Sequence, residues 1–194
     1  MNFTPRGAST MVVIALLATV ATQLFYIAVV SPADDALLRK ITWLTEMAAF
    51  SLMSVCALAL VARGSMPLVW SAVALAGLVN ILQVGIGLAQ FGPAGEAADP
   101  KVFAGVLAGA FFLYFHGKAM LGIAALGLGF GMWRSGTRLG KLLATLGIVS
   151  GLVAAGLGLL GMAGGMAWVF PAGAAGTSAT AILANLILAR REAG

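Results

Sequence analysis

The stretch FFLYFHGKAMLG, Phe111–Gly122, decides how the chain is read. It sets the only histidine, His116, and a lysine, Lys118, inside a long apolar run at 103–132. The run lacks the two-residue alternation of a half-buried strand and is long enough to cross a bilayer as a helix, which takes about 20 apolar residues. The rest of the chain repeats the pattern. Apolar runs occupy 11–30, 41–62, 67–91, 103–132, 142–162 and 167–189. Only 9% of the residues are charged and 61% are hydrophobic, against about 25% charged in a soluble domain. So little charge cannot cover a globule with water-compatible surface. The expected fold is all-α, a polytopic membrane helical bundle of six transmembrane helices forming a single domain over 1–194.

The breaks between runs carry the charges. With six spans both termini share one side, which receives Arg6, Arg63, Arg134, Arg138, Lys141, Arg190 and Arg191. The other side receives Arg39, Lys40 and Lys101, together with Asp34, Asp35, Glu96 and Asp99. The excess of basic residues predicts that both termini are cytoplasmic, and the expected location is a bacterial inner membrane with the opposite face periplasmic. The first run exceeds the about 7–15 residues of a signal-peptide core and holds Gln23, so it is read as a retained span. The net charge of +5 marks topology rather than nucleic acid, because the basic residues are scattered at segment ends.

Polar residues inside the spans fall at one level. From a rise of about 1.5 Å per residue, Gln23 lies about 10 Å below the outer surface and Glu46 about 8 Å. Asn80 and Gln83, three residues apart on one face, lie about 12–16 Å deep, with His116 at about 12 Å and Lys118 at about 15 Å. Four helices thus bring their polar groups to one slab in the outer half of the bilayer. Lys118 costs about 2.5–3.5 kcal/mol at mid-depth and calls for a partner. Glu46, the only acid within a span, is the candidate, either as a structural pair or as part of a ligand or proton site. Tyr114 precedes Lys118 by four residues and shares its face. His116 stands about 200° around the helix from Lys118, toward another groove or the lipid.

Other features carry less chemistry. No nucleophile elbow, P-loop, paired catalytic carboxylates or Cys/His metal spacing is present. His116 has no second histidine with which to hold haem, and Glu46 with His116 supplies two of the three or four ligands zinc takes. No metal or cofactor is expected. Cys56 reads as a small buried hydrophobe. GVLAG (Gly105, Gly109) and GIVSG (Gly147, Gly151) allow close helix packing. Trp43 and Trp168 near the outer ends, and Trp70 and Trp133 near the inner ends, fit interfacial belts. ARGSMPLVWSAVALAGLVNIL resembles WRSGTRLGKLLATLGIVSGLV at a shift of about 70 residues, a likeness that either a duplicated helical hairpin or shared Leu/Ala/Gly composition produces.

The stretch FHGKAMLGIAALGLGFGMWRSGTRLGKLLATLGIVSGL, with its histidine, aromatic-rich helix and RSG turn, resembles an uncharacterised domain-of-unknown-function family of bacterial six-helix integral membrane proteins, most clearly over 111–152. The resemblance implies the same topology and no established activity. The residues themselves point first to a protein that binds or transports a small molecule or ion. Its polar site would open to the periplasmic side and be built from Gln23, Glu46, Asn80, Gln83, Tyr114, His116 and Lys118, with Glu46 and His116 as the groups to exchange protons. A structural or regulatory subunit, packing as a homo-oligomer or beside a partner membrane subunit, is the second reading. An intramembrane enzyme acting on lipid or quinone, with Glu46 and His116 as acid and base, is the third. Membrane lipids are the surrounding partner in each case.

Overall fold

A computed structural model describes residues 4–64, 66–135 and 138–192. Gly136 and Thr137 of the RSG turn, and the side chain of Arg191 from the charge count, lie outside the described residues. Helix α1 (Pro5–Phe25) widens into a π-helical turn, Tyr26–Val30, and a short α2 (Ser31–Ala33). Then follow α3 (Ala36–Val61), α4 (Pro67–Gly95), α5 (Pro100–Ser135) and α6 (Arg138–Gly164), a 3-10 turn (Gly165–Trp168) and α7 (Val169–Glu192). Local chemistry sets the starts. Thr4 Oγ1 accepts from Gly7 N–H at 3.1 Å and Pro5 occupies the first turn, so α1 begins ahead of the expected Met11. Asp35 caps α3 by accepting from Leu37 and Leu38 N–H. Asp99 accepts from Lys101 N–H at the start of α5.

Five helical stretches are long and apolar enough to cross a membrane: Pro5–Ala33, Ala36–Val61, Pro67–Gly95, Pro100–Arg134 and Arg138–Arg190. They fit a multi-pass membrane protein. The sequence predicts six separate runs, and the difference lies in the last stretch, 53 residues long. There GMAGG does not interrupt helical structure. It tightens into the 3-10 turn, with Gly165 at φ +68°, a backbone conformation open chiefly to glycine. The stretch folds back on itself, because Gly147 near the start of α6 lies against Leu186 near the end of α7.

The helices close a ring. α1 packs on α3, α3 on α4, α4 on α5, α5 on α7 and α7 on α1, while α6 sits outside against α5 and α7. Small residues make the outer contact. α6 buries Ala144, Gly147, Gly151, Ala154, Gly158 and Gly161, spaced alternately three and four apart on one stripe. A Cβ on Gly151 would stand 2.5 Å from the carbonyl oxygen of Gly122 and 2.6 Å from the nitrogen of Leu126, so the two backbones touch. Leu146, Val149, Leu152, Leu159 and Leu160 face outward, a surface that suits lipid. GIVSG is thus a packing motif. GVLAG is not, since nothing among the described residues lies within 4 Å of a Cβ at Gly105 or Gly109.

The apolar core gathers toward the end that holds Arg6 and Arg63. It joins Val12 and Leu16 of α1 to Met53 of α3, Val73 of α4, Leu128 of α5 and Leu183 of α7. Trp70, expected in an interfacial belt, is buried in this core, whereas Trp133 is exposed as a belt residue would be. Cys56 is a buried free thiol.

Gly151→Ala is expected to lower stability in detergent by about 1–3 kcal/mol, because its methyl meets backbone that cannot yield. Gly156→Ala, on the same helix with nothing within 4 Å, is expected to cost nothing measurable. Denaturant or thermal unfolding of the two variants side by side checks the contrast.

Candidate functional site

Six of the seven residues singled out from the sequence line one small cavity inside the ring. Gln23 of α1, Glu46 of α3, Asn80 and Gln83 of α4, and Tyr114 and Lys118 of α5 surround it with Thr19, Phe50 and Leu121. Its volume is about 20 Å³. That is room for one water molecule or one polar atom of a larger molecule.

Glycines on facing helices set these side chains in place. Asn80 lies against Gly117, where a Cβ would collide with its amide. The stem of Lys118 lies on Gly176, where a Cβ would stand 2.7 Å from Lys118 Cβ. The Tyr114 hydroxyl would be 2.6 Å from a Cβ at Gly173. Two of the three seats are on α7, a helix that holds none of the seven candidate residues. α7 also supplies the partner of the lysine, since Lys118 Nζ donates to Thr177 Oγ1 at 3.2 Å. The same ammonium lies 5.2 Å from the Tyr114 ring centroid, within cation–π range.

Glu46 is held separately. Thr22 donates from Oγ1 to Glu46 Oε1 at 3.1 Å. Asn80 Nδ2 donates to the Ala76 carbonyl at 2.7 Å, leaving its side-chain oxygen for the cavity. Glu46 and Lys118 do not form the direct ion pair considered from the sequence. Thr177 draws the Lys118 amine toward α7 and Thr22 fixes the Glu46 carboxyl beside α1, so the two side chains face one cavity without touching.

The small cavity adjoins a much larger one. Gln23, Glu46, Gln83 and Tyr114 also border a space of about 670 Å³ at the end of the bundle that holds Asp34 and Asp35. Its walls are mainly apolar and come from all five ring helices, among them Ile27, Trp43, Phe91, Phe111 and Phe170. Aromatic contacts tie the helix ends together around it. Tyr26 stacks on Trp43 at 6.4 Å between centroids, Trp43 meets Phe91 edge-on at 5.7 Å, and Phe91 meets Phe103 at 5.7 Å. Trp43, read from the sequence as a belt residue without chemistry, therefore stands in the cavity wall.

His116 lines neither cavity. It is half-buried on the outward arc of α5 shared with the exposed Phe112 and Ile123, the side its offset from Lys118 requires. Glu46 and His116 thus share no cavity in which an acid and a base could act on one substrate atom. Among the described residues no group of three His, Cys, Asp or Glu side chains could hold a metal. The two hairpins that look alike in sequence do different work: α4 lines the cavity, whereas Ser150 of α6 bonds to the Gly147 carbonyl outside the ring.

Thr177→Val removes the hydroxyl that accepts from Lys118 and is expected to destabilise the protein by about 1–3 kcal/mol. Thr180→Val removes a hydroxyl bonded only within α7, to the Gly176 carbonyl, and is expected to change stability by less than about 0.6 kcal/mol. Unfolding in detergent or nanodiscs distinguishes the two.

Comparison of the chain with protein-family models, curated proteins and solved structures finds no match.

Proposed function

We propose that the protein is a six-pass membrane protein of the bacterial inner membrane that binds a small molecule in the polar intramembrane cavity, open toward the periplasm, as a carrier or a binding protein. The last helical stretch, 53 residues, would measure about 80 Å if straight, against about 30 Å of hydrocarbon. Folded back at Gly165 it supplies two crossings. The predominance of Arg and Lys at the end with Arg6, Arg63 and Arg134 then argues for cytoplasmic termini, and the cavity lies toward the opposite face.

The observation that carries the binding reading is the open space at the point where the polar groups meet. A purely structural cluster in hydrocarbon closes on itself, because each unmet polar group costs free energy. Here Lys118, Glu46 and Asn80 use part of their hydrogen-bonding capacity inside the protein, and all three border the small cavity, which shares Gln23, Glu46, Gln83 and Tyr114 with the space of about 670 Å³. That volume is within the range of about 300–1,000 Å³ typical of small-molecule sites.

The test is native mass spectrometry of the protein released from lipid nanodiscs. A small molecule is expected to remain bound to the unaltered protein, and Lys118→Met and Glu46→Gln are each expected to lower its occupancy about tenfold or more. Undiminished occupancy in both variants contradicts the reading. Recovery of a stoichiometric protein partner with no small molecule would favour the structural-subunit reading instead.

A further inference from the structure

We propose that the cavity takes an amphiphile with an uncharged, oxygen-bearing head, a hydroxyl or a carbonyl, and one apolar body, and that this molecule comes sideways from the lipid between α1 and α7. The proposal rests on the binding reading above and narrows it to a ligand class and a route.

The head follows from the floor. Glu46 and Lys118, one acid and one base, border the same small cavity, so the pair sums to no net charge whichever of them holds the proton. A head with a full charge would leave one charge uncompensated in a poorly solvated site, at a heavy cost. A space of about 20 Å³ admits one oxygen atom rather than a phosphate. The groups facing it both donate and accept. Gln23 and Gln83 carry amides with no hydrogen-bond partner among the described residues, and the Asn80 oxygen and the Tyr114 hydroxyl border the same space. Amides and a phenol suit a hydroxyl or a carbonyl equally well.

The body follows from the vestibule, which is walled mainly by aliphatic and aromatic side chains such as Leu107, Phe111 and Phe91. The route follows from the seam between α1 and α7. Toward the end with Arg6 the seam is shut, where Val12 and Leu16 share a core with Leu183 and Ile187. The buried positions of α1 itself stop at Thr19. Beyond that point Leu24 is 57% exposed and Ile27 56% exposed, and across the gap Phe170 of α7 is 79% exposed, yet all three line the vestibule. Side chains that border a cavity and the exterior at once form its rim. This rim is apolar, so it opens to hydrocarbon rather than to water. The π-helical turn at Tyr26–Val30 lies on it, and such wide turns recur at functional sites.

The probes are three photoreactive amphiphiles with the same diazirine-bearing alkyl chain: a monoalkylglycerol, a fatty acid and an alkylammonium. The protein is held in phosphatidylethanolamine–phosphatidylglycerol vesicles, and cross-linked peptides are mapped by mass spectrometry. The glycerol probe is expected to label peptides containing Leu24–Ile27 and Phe170–Ala174 saturably and ahead of both charged probes. Ala174→Trp fills the vestibule from its α7 wall and Ile27→Trp narrows the opposite rim, and each is expected to weaken this labelling about tenfold, with an unchanged gel-filtration profile as the check on folding. Labelling that does not saturate, that favours a charged head, or that ignores both variants overturns the proposal. If it fails while the nanodisc-released protein still holds a Lys118-dependent small molecule, the binding reading stands and only the ligand class falls. If no such molecule is held either, both fall.

Discussion

An ammonium group in hydrocarbon must be met by other polar groups, and the placement of Lys118 makes that requirement the organising constraint of the bundle. The residue is 9% exposed, on a helix rich in apolar and aromatic residues. Meeting it takes Thr177 and therefore a close approach of α7 to α5, for which glycine at 176 leaves room beside the Lys118 stem. Placing Asn80 at the same level takes α4 against α5, which only glycine at 117 allows. Glu46 on α3, steadied by Thr22 of α1, completes the set. Each helix of the ring either touches the cavity floor or supports a residue that does.

The remaining helix follows another rule. α6 contributes nothing to the cavity and packs by a stripe of glycine and alanine so close that its backbone meets that of α5. Most of its bulky residues, Leu146, Val149, Leu152, Leu159 and Leu160 among them, point away from the bundle. One end of the molecule is tight, with Leu16, Met53, Leu128 and Leu183 fully enclosed. The other end is hollow, edged by aromatic rings that meet at 5.7–6.4 Å between centroids. This asymmetry, a sealed half and a hollow half, is how a binding site that communicates with one side would be built.

Much of this was legible in the sequence. Apolar length is a property of composition, so the third run, expected at 67–91, and the second, at 41–62, came close to Pro67–Gly95 and Ala36–Val61. Depth along a helix is fixed by its rise per residue, so Gln23, Glu46, Asn80, Gln83 and Lys118 could be placed at one level without a structure. Rotation about the helix was equally fixed, and it separated His116 from Lys118. Pairing across helices was not legible. Thr177 looks like Thr180, whose hydroxyl bonds within its own helix, and nothing local marks the one that faces a lysine. Glu46 and Lys118 had the right charges but stand apart, because each found a hydroxyl nearer than the other. Glycine pairs gave no sign of which would pack: Gly147 and Gly151 do, Gly105 and Gly109 do not. The GMAGG break was visible, yet whether it ends a helix or bends it depends on contacts between α6 and α7 that no single segment encodes.

The central claim is that Glu46 and Lys118 belong to one water-poor compartment although they do not touch. A double-mutant cycle on Glu46→Gln and Lys118→Met, read as unfolding free energy in nanodiscs, tests it most directly. A shared compartment is expected to give a coupling of about 0.5–3 kcal/mol, the double variant being less unstable than the sum of the two single ones. Additivity within about 0.3 kcal/mol would mean that the two groups do not sense each other, and the cavity as described would not exist.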